Sequence, residues 1–139
     1  MSVSATYILW PVCAMAFLTF LVMLLIPFRR FRAGFAGKVT YKDFRYGESP
    51  NVPGDVSIPN RNYMNLLEAP TLFYVVCIAA YVAQLVTPAL ILMAWIYFGL
   101  RVLHTVIHLT YNNVKHRLAL FAASNVVLVV MWARFAAGL

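Results

Sequence analysis

An all-α integral membrane protein, a four-helix transmembrane bundle, is the fold class this sequence predicts, and three observations predict it. Hydrophobic residues make up 63% of the 139 residues and charged residues only 11%, where a soluble chain carries roughly half and a quarter. Four apolar segments, at about 6–28, 62–86, 88–111 and 118–138, each have the roughly 20 residues that cross about 30 Å of hydrocarbon as a helix. None of them alternates as a strand would, and unpaired backbone groups are too costly in lipid for any open structure. The single domain 1–139 therefore holds four spans and one long polar loop, 29–61.

The net charge of +7 invites a nucleic-acid reading, and its placement rejects it. Seven Lys or Arg lie in the loop (Arg29, Arg30, Arg32, Lys38, Lys42, Arg45 and Arg61), and Lys115 and Arg117 lie in the next turn on the same side. The other side has Arg134. By the positive-inside rule the loop is cytoplasmic and both termini are outside, so the basic rim meets anionic membrane lipid. The charges follow the first apolar run instead of preceding it, the order of an uncleaved anchor rather than a signal peptide. Cys13 and Cys77 fall inside spans at no metal-type spacing and read as small buried hydrophobes.

The first span opens near Ala5 and carries Pro11 in its early turns, where a missing N–H matters least. It ends at Ile26-Pro27-Phe28, ahead of the arginines. In the loop, Gly34, Gly37, Gly47, Pro50, Pro53, Gly54 and Pro59 break regular structure, and Lys42, Asp43, Arg45 and Glu48 read as solvated surface. A loop this long in so small a protein reads as a lid or a crossing segment. Asn60 is the expected cap of the second span.

The second span places Arg61, Asn65 and Glu68 at i, i+4 and i+7, which share one helix face. A carboxylate two turns into such a span is costly unless it faces a partner, so it marks a functional site. Pro70 should kink the helix and free a carbonyl near that face. The turn before Pro88 is short enough to make the second and third spans antiparallel neighbours.

The third span sets Tyr97, Arg101, His104, His108 and Tyr111 at spacings of 4, 3, 4 and 3, one seam that points into the bundle. At about 1.5 Å per residue, Glu68 lies roughly 10 Å in from Arg61 and His104 roughly 11 Å in from Tyr111. Glu68 is therefore expected to pair with Arg101, His104 or both. Arg117 opens the fourth span, whose Ala119, Ala122, Ala123 and Ser124 make a face suited to close helix contact.

Arginines outnumber the single intramembrane carboxylate, so the cytoplasmic half of the bundle should attract carboxylates or phosphates through forked hydrogen bonds. Asn65 offers donor and acceptor to a peptide-like group, and Glu68 accepts from an amine or amide. A small zwitterionic peptide with excess negative charge suits this set. An arginine beside a thiol would favour the thiolate, the nucleophilic form.

The pattern Arg61, Asn65, Glu68, Pro70 resembles the second helix of the MAPEG family, membrane-associated proteins in eicosanoid and glutathione metabolism. The run Arg101-Val102-Leu103-His104-Thr105-Val106 looks like the third helix of its prostaglandin E synthase branch, and the chain as a whole resembles a bacterial-type member of the glutathione transferase and prostaglandin synthase branches. Arg117, nine residues after His108, matches the family's arginine at the glutathione thiolate. The resemblance covers nearly the whole chain. It implies a homotrimer with glutathione bound between subunits near the cytoplasmic face, in a bacterial inner membrane. One of Arg29 and Arg30 would reach a glutathione carboxylate, while Arg61, Asn65, Glu68 and His104, with Arg101 and His108 beside them, would hold the peptide. Arg117 would be catalytic, at the sulfur, and a lipophilic small molecule would arrive from the bilayer as transferase or peroxidase substrate. His108, Leu118 and Phe121 stand where the eicosanoid enzymes carry hydroxyl side chains.

Two other readings stand beside this one. In the first, the protein is catalytically silent, binds lipid or partner proteins, and keeps the polar seam as a satisfied buried network. In the second, His104 and His108, at i and i+4, hold a metal or haem, although the nearby arginines repel a cation. No half-helix break or repeat of a transporter is visible.

Overall fold

The structure is a computed structural model and describes residues 4–139; Met1–Val3, which precede the expected anchor, lie outside the described residues. After a 3-10 turn at Ala5–Ile8, α1 runs Leu9–Phe35, α2 Gly54–Leu67, α3 Ala69–Val82, α4 Pro88–Leu109 and α5 Val114–Ala137. α2 and α3 are the two halves of one span. Among the described residues, four helical stretches are thus long and apolar enough to cross a membrane: Ala5–Phe35, Gly54–Val82, Pro88–Leu109 and Val114–Ala137. The chain is an all-α integral membrane protein.

α1 continues two turns past its expected end. Pro27 lies inside it; proline costs the helix one hydrogen bond, to the carbonyl four residues back, but its fixed φ is already helical. Arg29, Arg30 and Arg32 therefore ride a helix rather than a loop. α1 stops where Gly37 takes a positive φ of 70°, a conformation that glycine adopts without steric cost. The Gly37 N–H then bonds the Gly34 carbonyl at 3.0 Å and the Lys38 N–H bonds the Ala33 carbonyl at 2.9 Å, the paired bonds of a Schellman stop.

The connection to α2 holds a 3-10 turn at Tyr41–Phe44. Its Asp43 carboxylate accepts from the Thr40 backbone N–H at 2.7 Å and from the Thr40 hydroxyl at 3.0 Å. Those two bonds, the backbone one first, hold the Asp43 carboxyl below its ordinary range. α2 begins at Gly54, with Pro53 at the cap position, so Asn60 lies inside the helix instead of capping it. Pro53 and Gly54 at its start do not prevent this, because the first-turn N–H groups of a helix have no partner to lose; Pro59 lies inside the helix and forgoes one hydrogen bond, to the carbonyl four residues back.

One core cluster runs between the helices through Met15, Val22, Leu66, Phe73, Val76, Cys77, Ala94, Tyr97, Leu128 and Met131. A smaller one (Ala33, Val39, Val52 and Val56) lies under the loop. The second and third spans run antiparallel and meet through Phe73 stacked on Tyr97, with ring centroids 4.7 Å apart. Yet the most extensive packing is α4 on α5 and α1 on α2. Cys77 is buried as expected, but Cys13 is exposed, and both are free thiols. Of the small residues on α5, only Ser124 turns inward; Ala119, Ala122 and Ala123 face out of the bundle.

Candidate functional site

Pro70 sits in the first turn of α3, and the helix breaks two residues before it. Glu68 stands at the break with φ −79° and ψ −94°, outside the helical region. Its N–H still bonds the Met64 carbonyl at 3.1 Å, and its own carbonyl accepts from the Thr71 N–H at 3.1 Å. The break presents the Asn65 carbonyl to α4, where it accepts a hydrogen bond from Arg101 Nη2.

Arg101 is completely buried. Its guanidinium carbon lies 5.6 Å from the Phe121 ring centre and 6.0 Å from that of Tyr97, distances at which the ring quadrupole attracts a cation. The expected pairing of Glu68 with Arg101 or His104 is therefore corrected. The kink offers Arg101 a backbone dipole, and Glu68 is left exposed on the outside of the bundle. Among the described residues the ion pair that forms is Arg30 Nη2 with Glu48 Oε1, at 3.0 Å. Glu48 is thus not the solvated surface residue the loop composition suggested. Its other oxygen accepts from the Ser57 hydroxyl at 2.9 Å, and the Arg30 guanidinium lies 4.4 Å from the Phe44 ring centre. Together these contacts strap the loop across α1 and α2.

Tyr97, His104 and His108 of the α4 seam face inward as their spacing implies, and Thr105 beside them is buried too. The His104 and His108 rings are 5.8 Å apart at 75°, and His104 lies 6.2 Å from Phe121. No group of three or more His, Cys, Asp or Glu is placed to hold a metal ion among the described residues. Tyr111 leaves the seam because α4 ends at Leu109; it is exposed and its hydroxyl meets His116 Nδ1 at 2.8 Å.

Arg117 is fixed by the turn before it. The Asn113 side chain caps α5 by accepting from the N–H groups of Lys115 and His116 at 2.9 and 3.2 Å. Asn112 takes a left-handed φ of 50°, which asparagine tolerates better than most residues. From there its Oδ1 accepts from Arg117 Nη1 at 2.6 Å. The guanidinium opens onto a cavity of about 240 Å³ lined by Asn65, His104, Val114, Arg117, Leu118 and Phe121. This cavity joins the second-span motif, the α4 seam and the start of α5.

Arg61, Asn65 and Glu68 do share a face, but Arg61 and Glu68 are exposed and Asn65 is half-buried. Two residues escaped the sequence argument. Asn112 positions Arg117, and the Asn-Asn pair between two apolar runs was the signal that could have found it, since asparagine favours both left-handed turns and caps. Asn62 is fully buried on the inner face of α2; nothing in its spacing set it apart from its neighbours.

Comparison with curated proteins and with solved structures found no match. A family model described as the MAPEG family matches residues 8–137. This chain belongs to the MAPEG family, and is a membrane protein of the glutathione and eicosanoid metabolism kind.

Proposed function

We propose that this protein is a glutathione-dependent membrane enzyme, a transferase or peroxidase acting on lipophilic electrophiles. The observation that carries the proposal is Arg117: a cation held by Asn112 at 2.6 Å, opening on the same cavity as Asn65 and His104. The donor set fits the ligand. Arg61 and Arg117 suit carboxylate and thiolate, Asn65 suits a peptide amide, and Glu68 suits the amine. Arg30 reaches a carboxylate only by exchanging it for Glu48. Arg101 acts from behind by holding the Asn65 carbonyl, and His104 and His108 complete the polar wall. Bound glutathione supplies the thiol sulfur that attacks an electrophile arriving from the bilayer. Arg117 contributes a fixed positive charge where thiolate charge resides, which needs no reorganisation at the moment of reaction.

The protomer supports a trimeric reading by being incomplete. About 240 Å³ falls short of the roughly 300–1,000 Å³ of a whole small-molecule pocket, so it takes the thiol end alone. The remaining contacts lie along Arg61 and Glu68, both exposed on the protomer. Counting back 20 residues from Val82 at about 1.5 Å each puts Glu68 inside the hydrocarbon. A charge there needs company, and a neighbouring subunit with ligand between supplies it. The basic loop marks the cytoplasmic side, with both termini outside.

A second reading keeps the scaffold without turnover, as a protein that binds lipid or partner proteins. It is favoured by Leu118 and Phe121, which give the cavity wall no hydroxyl beside Arg117. Calorimetric titration of glutathione into detergent-purified protein separates the two. The enzyme reading expects saturable binding, weakened about tenfold or more in Glu68→Gln, the loss of a charge-assisted hydrogen bond. No heat and no thermal stabilisation at millimolar glutathione would leave the silent protein.

A further inference from the structure

We propose that a separate basic pocket at the junction of α1 and α2 binds the phosphate of an anionic membrane phospholipid. It has a volume of about 300 Å³ and is lined by Arg29, Arg32, Ala33, Ala36, Lys38, Asp55 and Val56. It shares no residue with the Arg117 cavity and does not rest on the glutathione reading.

The local fold explains why the cations converge. Arg29, Arg32 and Ala36 lie at i, i+3 and i+7 and so share one face of α1. The stop at Gly37 turns the chain back, with the Lys38 N–H on the Ala33 carbonyl at 2.9 Å, and so brings Lys38 onto that same face. Alanines at positions 33 and 36 leave the space between the three cations open. The first turn of α2 forms the facing wall. Its cap residue, Pro53, gives it no side-chain hydrogen bond, so the N–H end of a 14-residue helix adds positive potential to the pocket.

Two observations point to a ligand and to its depth. The lining has three cations against one carboxylate, Asp55, and among the described residues none of the four is ion-paired, since the ion pair on α1 belongs to Arg30. The strap that occupies Arg30 thus leaves Arg29 and Arg32 free. Leu9 to Phe28 is 20 residues, about 30 Å of helix, so α1 leaves the hydrocarbon just before Arg29. The pocket mouth lies where phospholipid phosphates stand. A phosphate diester fills it with forked hydrogen bonds from the two guanidinium groups and a point contact from the Lys38 ammonium.

The test uses the full chain in neutral detergent, titrated with short-chain phosphatidylglycerol, short-chain phosphatidylcholine and inorganic phosphate. Wild type should bind phosphatidylglycerol at least tenfold more tightly than phosphatidylcholine. Inorganic phosphate should compete only weakly; if it binds as tightly as the lipid, the lipid assignment is wrong. Arg29→Gln/Arg32→Gln should lose about thirtyfold in affinity, at about fivefold per cation. The loop variant Lys42→Gln/Arg45→Gln removes equal charge outside the pocket and should lose far less. Lys38→Gln lies beyond the end of α1 and should lose about fivefold with no change in melting temperature. Equal losses in the two double variants would reduce the effect to general surface charge and overturn the proposal, as would an unchanged Lys38→Gln.

Discussion

Arg101 and Arg117 are both polar residues in the half of the bundle nearest the basic loop, and they do opposite work. Arg101 has no exposed surface and donates to a backbone carbonyl; Arg117 is partly exposed and opens on a cavity. Arg101→Ala removes a buried cation from its acceptor and leaves a void, so it should cost about 3 kcal/mol of stability, read as a lower detergent melting temperature. Arg117→Ala should leave the melting temperature nearly unchanged and lower conjugation of a lipophilic electrophile about a hundredfold, the usual loss of one electrostatic donor. If the two variants exchange these effects, the assigned roles are wrong. The sequence made the residues of the α4 seam legible from Tyr97 to His108, because a spacing of 4 and 3 matches a helix face, but not the seam's end, since α4 stops at Leu109 and leaves Tyr111 outside. It did not make their partners legible. Arg101 meets Asn65 instead of Glu68 because the direction of a helix break decides which group is presented, and spacing carries no direction.

At the scale of elements, the break at Glu68 and the loop strap position the site. Pro70 stands in the first turn of α3, where proline costs little. Replacing it should therefore not yield the roughly 3 kcal/mol that removing an interior proline gives. Pro70→Ala is expected to be no more stable than the parent by thermal melt, and to bind glutathione more weakly as Glu68 loses its fixed conformation.

In the loop, folding lowers the Asp43 carboxyl below the ordinary value of 3.8. That carboxylate adds stability above the unfolded range, and the addition is lost as pH falls through the lowered folded value. Pepsin should accordingly nick the loop faster as pH drops below about 4. Asp43→Asn should be nicked readily on both sides of that range. Helix existence was readable from apolar runs, but boundaries were not. Arg29 to Phe35 and Gly54 to Arg61 are helical although polar or rich in glycine and proline, because tertiary packing against each other overrides local propensity.

For the whole molecule, the informative feature is a charged face turned outward. Glu68 is exposed on a spanning helix, and the sign of one substitution decides what lies opposite. If lipid does, Glu68→Leu should stabilise the protein, since a charge in hydrocarbon is removed. If a neighbouring subunit does, the same change should lower the fraction of trimer measured by native mass spectrometry in mild detergent. The second outcome is expected. The count of spans was legible from composition, whereas the pairing of α1 with α2 and of α4 with α5 was not, because the lipid-facing and protein-facing sides of such helices are equally apolar.

The same second span has a consequence for how the protein is made. Compared over the most apolar 18 residues of each spanning stretch, Gly54–Val82 is the least hydrophobic of the four and Ala5–Phe35 the most. The ribosome delivers the strongest lipid-seeking segment of the four before the weakest. A helix with a break and a polar face partitions poorly by itself, but α1 is already in the bilayer and offers α2 one of its two most extensive contacts in the fold. The translocon is therefore expected to hand over a hairpin rather than two independent anchors, with the polar face entering the membrane against its predecessor.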